Sequence, residues 1–226
     1  MNPSPLHRVR NHPRGVAIFG GSFDPIHVGH LAVARAAQRR FHLDEIHFAP
    51  SGHPPHKPKV ELAPFAQRYA MVALACADHP HFLASLADAG EDGQPRYSVD
   101  TVRHFRRQLR HPHDRLYFII GADAFLEIPT WKDYETLLGL CDFVVVSRPG
   151  FKIQTLRLVI PPELLGRAPG SKHEIPLRKT TVHLLDSVSS HVSSTEIRRR
   201  RRRLQSIHGL VPVRVEEYIL KQAIYS

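Results

Sequence analysis

The sequence predicts an α/β fold built on a mostly parallel sheet. Three observations carry that expectation. Short, unbroken apolar runs alternate with segments of helical periodicity along most of the chain, and strands buried on both faces of a parallel sheet read as such runs. The run Leu116-Tyr117-Phe118-Ile119-Ile120 is the clearest of them and ends at Gly121. Residues 16–50 read as strand, helix, strand, the parallel unit with a right-handed crossover.

The elements follow in order. Residues 1–14 are rich in Pro, Asn, His and Arg and lack periodicity. They are expected to form a flexible basic arm ahead of a single domain over 15–226, since 226 residues suit one large domain or two small ones. Residues 16–19 form a short strand that runs into Gly20-Gly21. Helical spacing of Val33, Ala34, Ala37 and Phe41 marks a helix over 27–41. A strand at 45–49 is closed by Pro50. Further helices are expected at 65–77, 99–109, 131–140 and 194–204, and a last one begins at Pro212. Further strands are expected at 81–84, 116–120, 143–146 and 182–185. Residues 151–179 fit the alternation worst, with four Pro and two Gly.

Charge points to anionic partners: 31 Lys+Arg against 21 Asp+Glu give +10, with 17 His besides. Arg8, Arg10 and Arg14 lie on the arm, and residues 198–203 are six consecutive Arg. Without those nine charges the remainder carries +1. A nucleic-acid-binding surface needs basic residues spread over one face with aromatics between them, so no nucleic-acid partner is expected. Cys76 and Cys141 stand alone, without the CxxC spacing of zinc or redox sites. No apolar run approaches the roughly 20 residues of a membrane span, and the N-terminus lacks the apolar core of a signal peptide. A cytoplasmic protein with no membrane partner is expected.

The chemistry concentrates in Gly20-Gly21-Ser22-Phe23-Asp24-Pro25-Ile26-His27-Val28-Gly29-His30. It lies between the first strand and first helix, where open parallel sheets bind ligands. Gly20 and Gly21 let an anion approach the backbone. The helix start offers free N–H groups to phosphate, and His27 and His30, three apart, share one face and can donate to its oxygens. Neither a Walker loop nor a dinucleotide fingerprint is present, since the chain has no GxxxxGK[ST] and no Gly-x-Gly. Near the C-terminus, Val192-Ser193-Ser194-Thr195-Glu196-Ile197-Arg198 reads as a capping box whose hydroxyls and N–H groups can also cradle phosphate. Pro50 to Pro58 is a stiff loop on which His56 and Lys57 are cationic fingers. Gly121 permits close approach, and Asp123 can bond ribose hydroxyls.

The first segment resembles the His-x-Gly-His signature of the nucleotidyltransferase superfamily. In its longer form it is similar to that of the bacterial nicotinate-nucleotide adenylyltransferases, with Ser22 where most members have Thr. Val192 to Arg198 is near-identical to that family's phosphate motif, with Val192 for Ile. The family also has a similar Pro-Pro-His-Lys loop, a Tyr-Thr/Ser-x-x-Thr segment matched here by Tyr97 to Thr101, and an Arg-Pro-Gly matched by Arg148 to Gly150. The resemblance covers roughly residues 16–150 and 180–224.

That resemblance implies a Rossmann-like nucleotidyltransferase fold with a small C-terminal helical part. It implies adenylyl transfer from ATP to nicotinate mononucleotide, by in-line attack of the acceptor phosphate on the α-phosphorus. Nicotinamide mononucleotide and pantetheine phosphate are the alternative acceptors. His27, His30, Lys57 and Arg198 become the catalytic cation and donor set. Gly20, Gly21, Ser22, Phe23, Gly121, Asp123, Arg148, Ser193, Ser194 and Thr195 become ATP contacts. Trp131, otherwise a core candidate, stacks on the pyridine ring beside Tyr97, and the backbone N–H groups of Ser98 and Lys132 bind the nicotinate carboxylate. Mg²⁺ is expected as cofactor, bound mainly through ATP phosphates, with no protein ligand named.

Overall fold

The computed structural model describes residues 13–52, 62–90, 96–109, 111–147, 150–186 and 192–226. Seven strands form one sheet in the order β3-β2-β1-β4-β5-β7-β6: β1 Gly15–Gly21, β2 Glu45–Pro50, β3 Phe82–Ala84, β4 Arg115–Gly121, β5 Asp142–Val146, β6 Glu174–Pro176 and β7 Thr181–Leu185. All neighbours pair in parallel except β6, which runs antiparallel to β7 at one edge. The chain builds outward from β1 through β2 to β3, then returns to start β4 on the other side of β1. The strand order therefore reverses between β1 and β4, and this is where such sheets open a ligand crevice at their carboxyl ends.

Alternate strand residues face opposite layers. Ala17, Phe19, Phe48, Ile119 and Val144 pack under α1 (Val28–Phe41), α2 (Phe65–Cys76) and α8 (Val213–Lys221). Ile18, Phe118, Ile120, Phe143 and Val145 pack under α3 (Ser98–Gln108), α4 (Ala122–Leu126), α5 (Tyr134–Leu138) and α6 (Gln154–Arg157). Helix α7 (Ser194–Arg202) enters the first layer through Ile197. Among the described residues no helix is long and apolar enough to cross a membrane.

Two expected helices change. The one at 131–140 shrinks to α5, preceded by α4 and a short 3-10 turn, Ile128–Thr130. Trp131 is extended, and Asp133 takes a left-handed backbone (φ 51°) with its carboxylate on Arg103 at 2.8 Å, which breaks helical continuity. Helix α7 ends at Arg202, and Leu204 is exposed with φ 53°. No core reaches that far, and the consecutive guanidiniums repel one another. Within 151–179 the structure has α6, a 3-10 turn and edge strand β6. Arg14 is tied to the sheet, with its N–H on Asp114 and its guanidinium on Glu45 at 2.6 Å.

Candidate active site

The crevice is lined by backbone before side chains. A Cβ at Gly20 would sit 3.1 Å from the Phe118 ring, so glycine keeps the end of β1 flush with β4. The β1–β4 pairing ends at Phe19 and Ile119, and Gly21 and Gly121 each lie two residues beyond it at the carboxyl ends of their strands. Nothing stands within 4 Å of a Cβ built at Gly121, and Asp123 is exposed in the first turn of α4. Phe23 follows Ser22 with a left-handed backbone, φ 46°, a conformation that costs energy and clusters at functional sites. Its ring is buried edge-on to His30 at 5.1 Å and to Phe19 at 5.5 Å. Phe23 therefore supports His30, and only its backbone remains for a nucleotide.

The two histidines cap α1 with each other. His27 Nδ1 accepts from the His30 N–H at 3.4 Å, and His30 Nδ1 accepts from the His27 N–H at 3.2 Å. The rings stack with centroids 3.7 Å apart. A ring nitrogen that accepts carries no proton, so in each neutral ring the proton sits on Nε2. Burial lowers the pKa of His27 from 6.5 to about 4. Burial, helped by the neighbouring His27, holds His30 well below its ordinary range. At neutral pH the pair is thus two fixed Nε2–H donors rather than two cations.

Helix α7 docks onto the same loop. Ser194 Oγ donates to the Pro25 carbonyl at 2.9 Å, and Arg198 donates to the Asp24 carbonyl at 2.7 Å. Ser193 caps the helix by accepting from the Glu196 N–H at 3.2 Å. The other half of the expected capping box is taken elsewhere, since Glu196 pairs with Arg199 at 2.6 Å and Arg200 at 2.9 Å. Ser193 and Thr195 remain exposed at the helix start.

A second corner lies on the other face of β1 and β4. Trp131 packs edge-on to Phe118, centroids 6.4 Å apart, and Phe118 is the ring beneath Gly20. Lys132 Nζ lies 4.2 Å from the Tyr97 ring centroid, a cation–π contact. The Arg103–Asp133 ion pair adds a second tie between α3 and this segment. Tyr97 is the N-cap of α3 without a side-chain cap bond. Beneath it, Asp88 accepts from Thr101 Oγ1 at 2.9 Å, and burial raises its pKa to about 6.

A family model described as cytidylyltransferase-like matches residues 18–200. A protein of Moorella thermoacetica named "Probable nicotinate-nucleotide adenylyltransferase" is 42% identical over 214 residues, covering 94% of this chain and 92% of its own. One of the same name from Geobacter sp. (strain M21) is 40% identical, covering 93% of this chain and 97% of its own. The chain belongs to the nicotinate-nucleotide adenylyltransferase family. The Plasmodium falciparum nicotinic acid mononucleotide adenylyltransferase, solved in complex with NaAD, superposes with a TM-score of 0.69 at 20% identity. That match covers 94% of this chain and 97% of the other. The same protein complexed with APC gives 0.66 at the same identity. At that identity the likeness is one of fold.

The structure brings Gly20, Gly21, Ser22, His27, His30, Ser193, Ser194, Thr195 and Arg198 to one corner of this family member. It sets Trp131, Tyr97, Ser98 and Lys132 at the other. Lys57, His56 and Arg148 lie outside the described residues. Sequence reasoning missed Arg68. Its guanidinium, 2% exposed, donates to the carbonyls of Ser22 at 2.9 Å, Ser51 at 2.8 Å, Ala63 at 2.9 Å and Gly52 at 3.4 Å. Ala63 in turn donates its N–H to Asp24 at 3.2 Å. A signal existed, because Arg68 occupies the apolar stripe that Met71, Val72 and Ala75 continue. A charge in that stripe is a buried charge with partners.

Proposed function

We propose that this chain transfers the adenylyl group of ATP to nicotinate mononucleotide, giving deamido-NAD and pyrophosphate. The reciprocal His27–His30 cap at the strand-order reversal is the observation that carries the reading. It holds two imidazole donors where the fold offers a phosphate site, in a chain of the nicotinate-nucleotide adenylyltransferase family.

The acceptor's 5′-phosphate oxygen attacks the α-phosphorus in line, and the bond from that phosphorus to the bridging oxygen breaks. The electron pair leaves with pyrophosphate. A phosphate is already an anionic nucleophile, so no general base is required. What the protein supplies is alignment and charge stabilisation. The neutral His27 and His30 donate to the phosphates through Nε2–H without releasing a proton. Ser193, Thr195 and the first N–H groups of α7 add donors, and Arg198 and Lys57 add positive charge. Gly20, Gly21 and Gly121 line the nucleotide's path, with Asp123 on its ribose, and the family resemblance assigns Arg148 to the nucleotide as well. Trp131 stacks on the pyridine ring beside Tyr97. The N–H groups of Ser98 and Lys132 take the carboxylate, and the Lys132 ammonium over Tyr97 adds a charge that favours an acid over an amide.

Among the described residues no group of three or more His, Cys, Asp or Glu is placed to hold a metal ion. The donors at the phosphate corner are N–H groups and hydroxyls, and Asp24 is committed inward. This set suits phosphate oxygens, so Mg²⁺ would arrive on ATP, keep several waters and neutralise charge on the leaving pyrophosphate.

Pyrophosphate release from Mg-ATP with nicotinate mononucleotide, its amide, pantetheine phosphate or no acceptor tests the reading. Release with the first acceptor is expected to exceed the others. No release with any acceptor overturns it.

A further inference from the structure

Beneath the phosphate corner, Arg198 is backed by buried groups that the proposed chemistry does not use. Asp24 is fully buried. Its Oδ1 accepts two hydrogen bonds, from the Ala63 N–H at 3.2 Å and from the Tyr225 hydroxyl at 2.6 Å. Its Oδ2 has no hydrogen-bond partner and lies 3.6 Å from the Arg198 guanidinium. Arg198 itself donates to the Asp24 carbonyl at 2.7 Å. Tyr225 comes from the far end of the chain, where left-handed Ala223 (φ 49°) and Tyr225 (φ 65°) turn the tail back toward the loop.

The geometry separates the two ends of the Arg198 guanidinium. Nη1 is anchored inward on Asp24. Nη2 points toward the exposed start of α7, 3.5 Å from Thr195 Oγ1. A planar guanidinium held at one edge presents its other edge in a fixed direction. The inner edge is held by two parts of Asp24: its carbonyl accepts from Nη1 at 2.7 Å, and the charge of its carboxylate faces the same nitrogen at 3.6 Å through Oδ2. The direction of that carboxylate charge is set on Oδ1 by Tyr225 and Ala63, because two donors on one oxygen fix the carboxylate plane and leave Oδ2 turned to Arg198. The bound phenol is itself stabilised in its neutral form, since burial and the Asp24 bond both raise its pKa. The link therefore persists across the physiological range.

We propose that Tyr225 is a positioning residue for catalysis, acting through Asp24 to aim Arg198 at the phosphates of the bound nucleotide. It does not touch substrate. A phenol held by one carboxylate oxygen thereby aligns a half-buried cation of α7.

This inference rests on the adenylyl-transfer reading, because ATP phosphates are what Arg198 serves. The test is a double-variant cycle on the full-length chain, with Tyr225→Phe, Arg198→Met and both together, assayed by pyrophosphate release. Tyr225→Phe is expected to lower kcat/KM for ATP roughly tenfold, a size set by misplacing one charged group. KM for the acceptor should stay within about twofold, and the Arg198→Met background should show no further loss. Multiplying effects in the double variant overturn the inference. So does equal weakening toward both substrates, which is what a general structural staple would give. Asp24→Asn keeps an oxygen for Tyr225 and Ala63 while removing the charge that faces Arg198, and it is expected to reproduce the ATP-side loss. An ATP-side efficiency unchanged in that variant also overturns the inference. A wild-type chain that releases no pyrophosphate counts against the reading of function, whereas an active wild type with additive variants counts against Tyr225 alone.

Discussion

The two ends of the central sheet are built from the same strands but handle polar groups in opposite ways. At the amino ends charges are closed on one another. Arg14 pairs with Glu45 at 2.6 Å and Arg115 with Asp142 at 2.6 Å, while Asp142 also accepts from the Thr181 N–H at 2.8 Å and Asp44 accepts from the Gly15 N–H at 3.0 Å. At the carboxyl ends the described residues gather donors. Glycine backbone, two imidazole N–H groups, helix-start hydroxyls and Arg198 gather around one inward-turned carboxylate. The closed end contributes stability, and the open end leaves donors exposed where the proposed function places phosphates.

Substitutions at the open end should break activity and spare the fold. His27→Ala or His30→Ala is expected to lower kcat for pyrophosphate release by at least about tenfold, since a lost preorganised donor costs roughly that or more. The thermal midpoint should still report a cooperative fold, and near-normal turnover in both variants would sink the assignment of these donors. The closed end should show the converse. Asp142→Ala leaves the Thr181 N–H without its acceptor and is expected to cost about 1–3 kcal/mol in urea unfolding. The partner Arg115 is largely solvated and adds little. Turnover per folded molecule should not change.

Titration sharpens the same contrast. His27 is neutral when folded down to about pH 4, whereas an unfolded histidine protonates near 6.5. Between those values the unfolded chain binds more protons, so stability falls as pH drops through this window. Thermal midpoints at pH 7 and pH 5 check this, and the drop should shrink in a His27→Asn variant. The acceptor corner is expected to give smaller effects. Trp131→Ala should raise KM for the pyridine nucleotide several-fold more than KM for ATP, because base-type stacking is worth about 1–3 kcal/mol. Equal effects would mark Trp131 as core. Lys132→Met should reduce the preference for the acid acceptor over the amide by roughly two- to fivefold, the size expected of one exposed charge. An unchanged ratio leaves discrimination to the backbone N–H groups alone.

Much of this was legible beforehand, for identifiable reasons. The buried strands announced themselves as continuous apolar runs, and the local chemistry of Gly20 to His30 and Ser193 to Arg198 was contiguous in sequence. The helix expected over 131–140 failed because a long-range ion pair, Arg103–Asp133, sits at the left-handed residue that breaks it. Edge strand β6 was missed because three residues carry too little periodicity. The capping box at Ser193 was half right, because Glu196 found two arginines of its own helix more favourable than the N-cap backbone.

By itself, the sequence determined the α/β class, most of the strands and helices, and the two motifs proposed to bind phosphate. Those depend on apolar periodicity and on residues adjacent in the chain. The tertiary structure alone decided that His27 and His30 are neutral donors locked by each other. It also decided that Arg68 joins four carbonyls drawn from two loops, and that Tyr225 closes on Asp24 from 201 residues away. Burial and contacts between distant segments set those properties, and neither leaves a local trace in the chain.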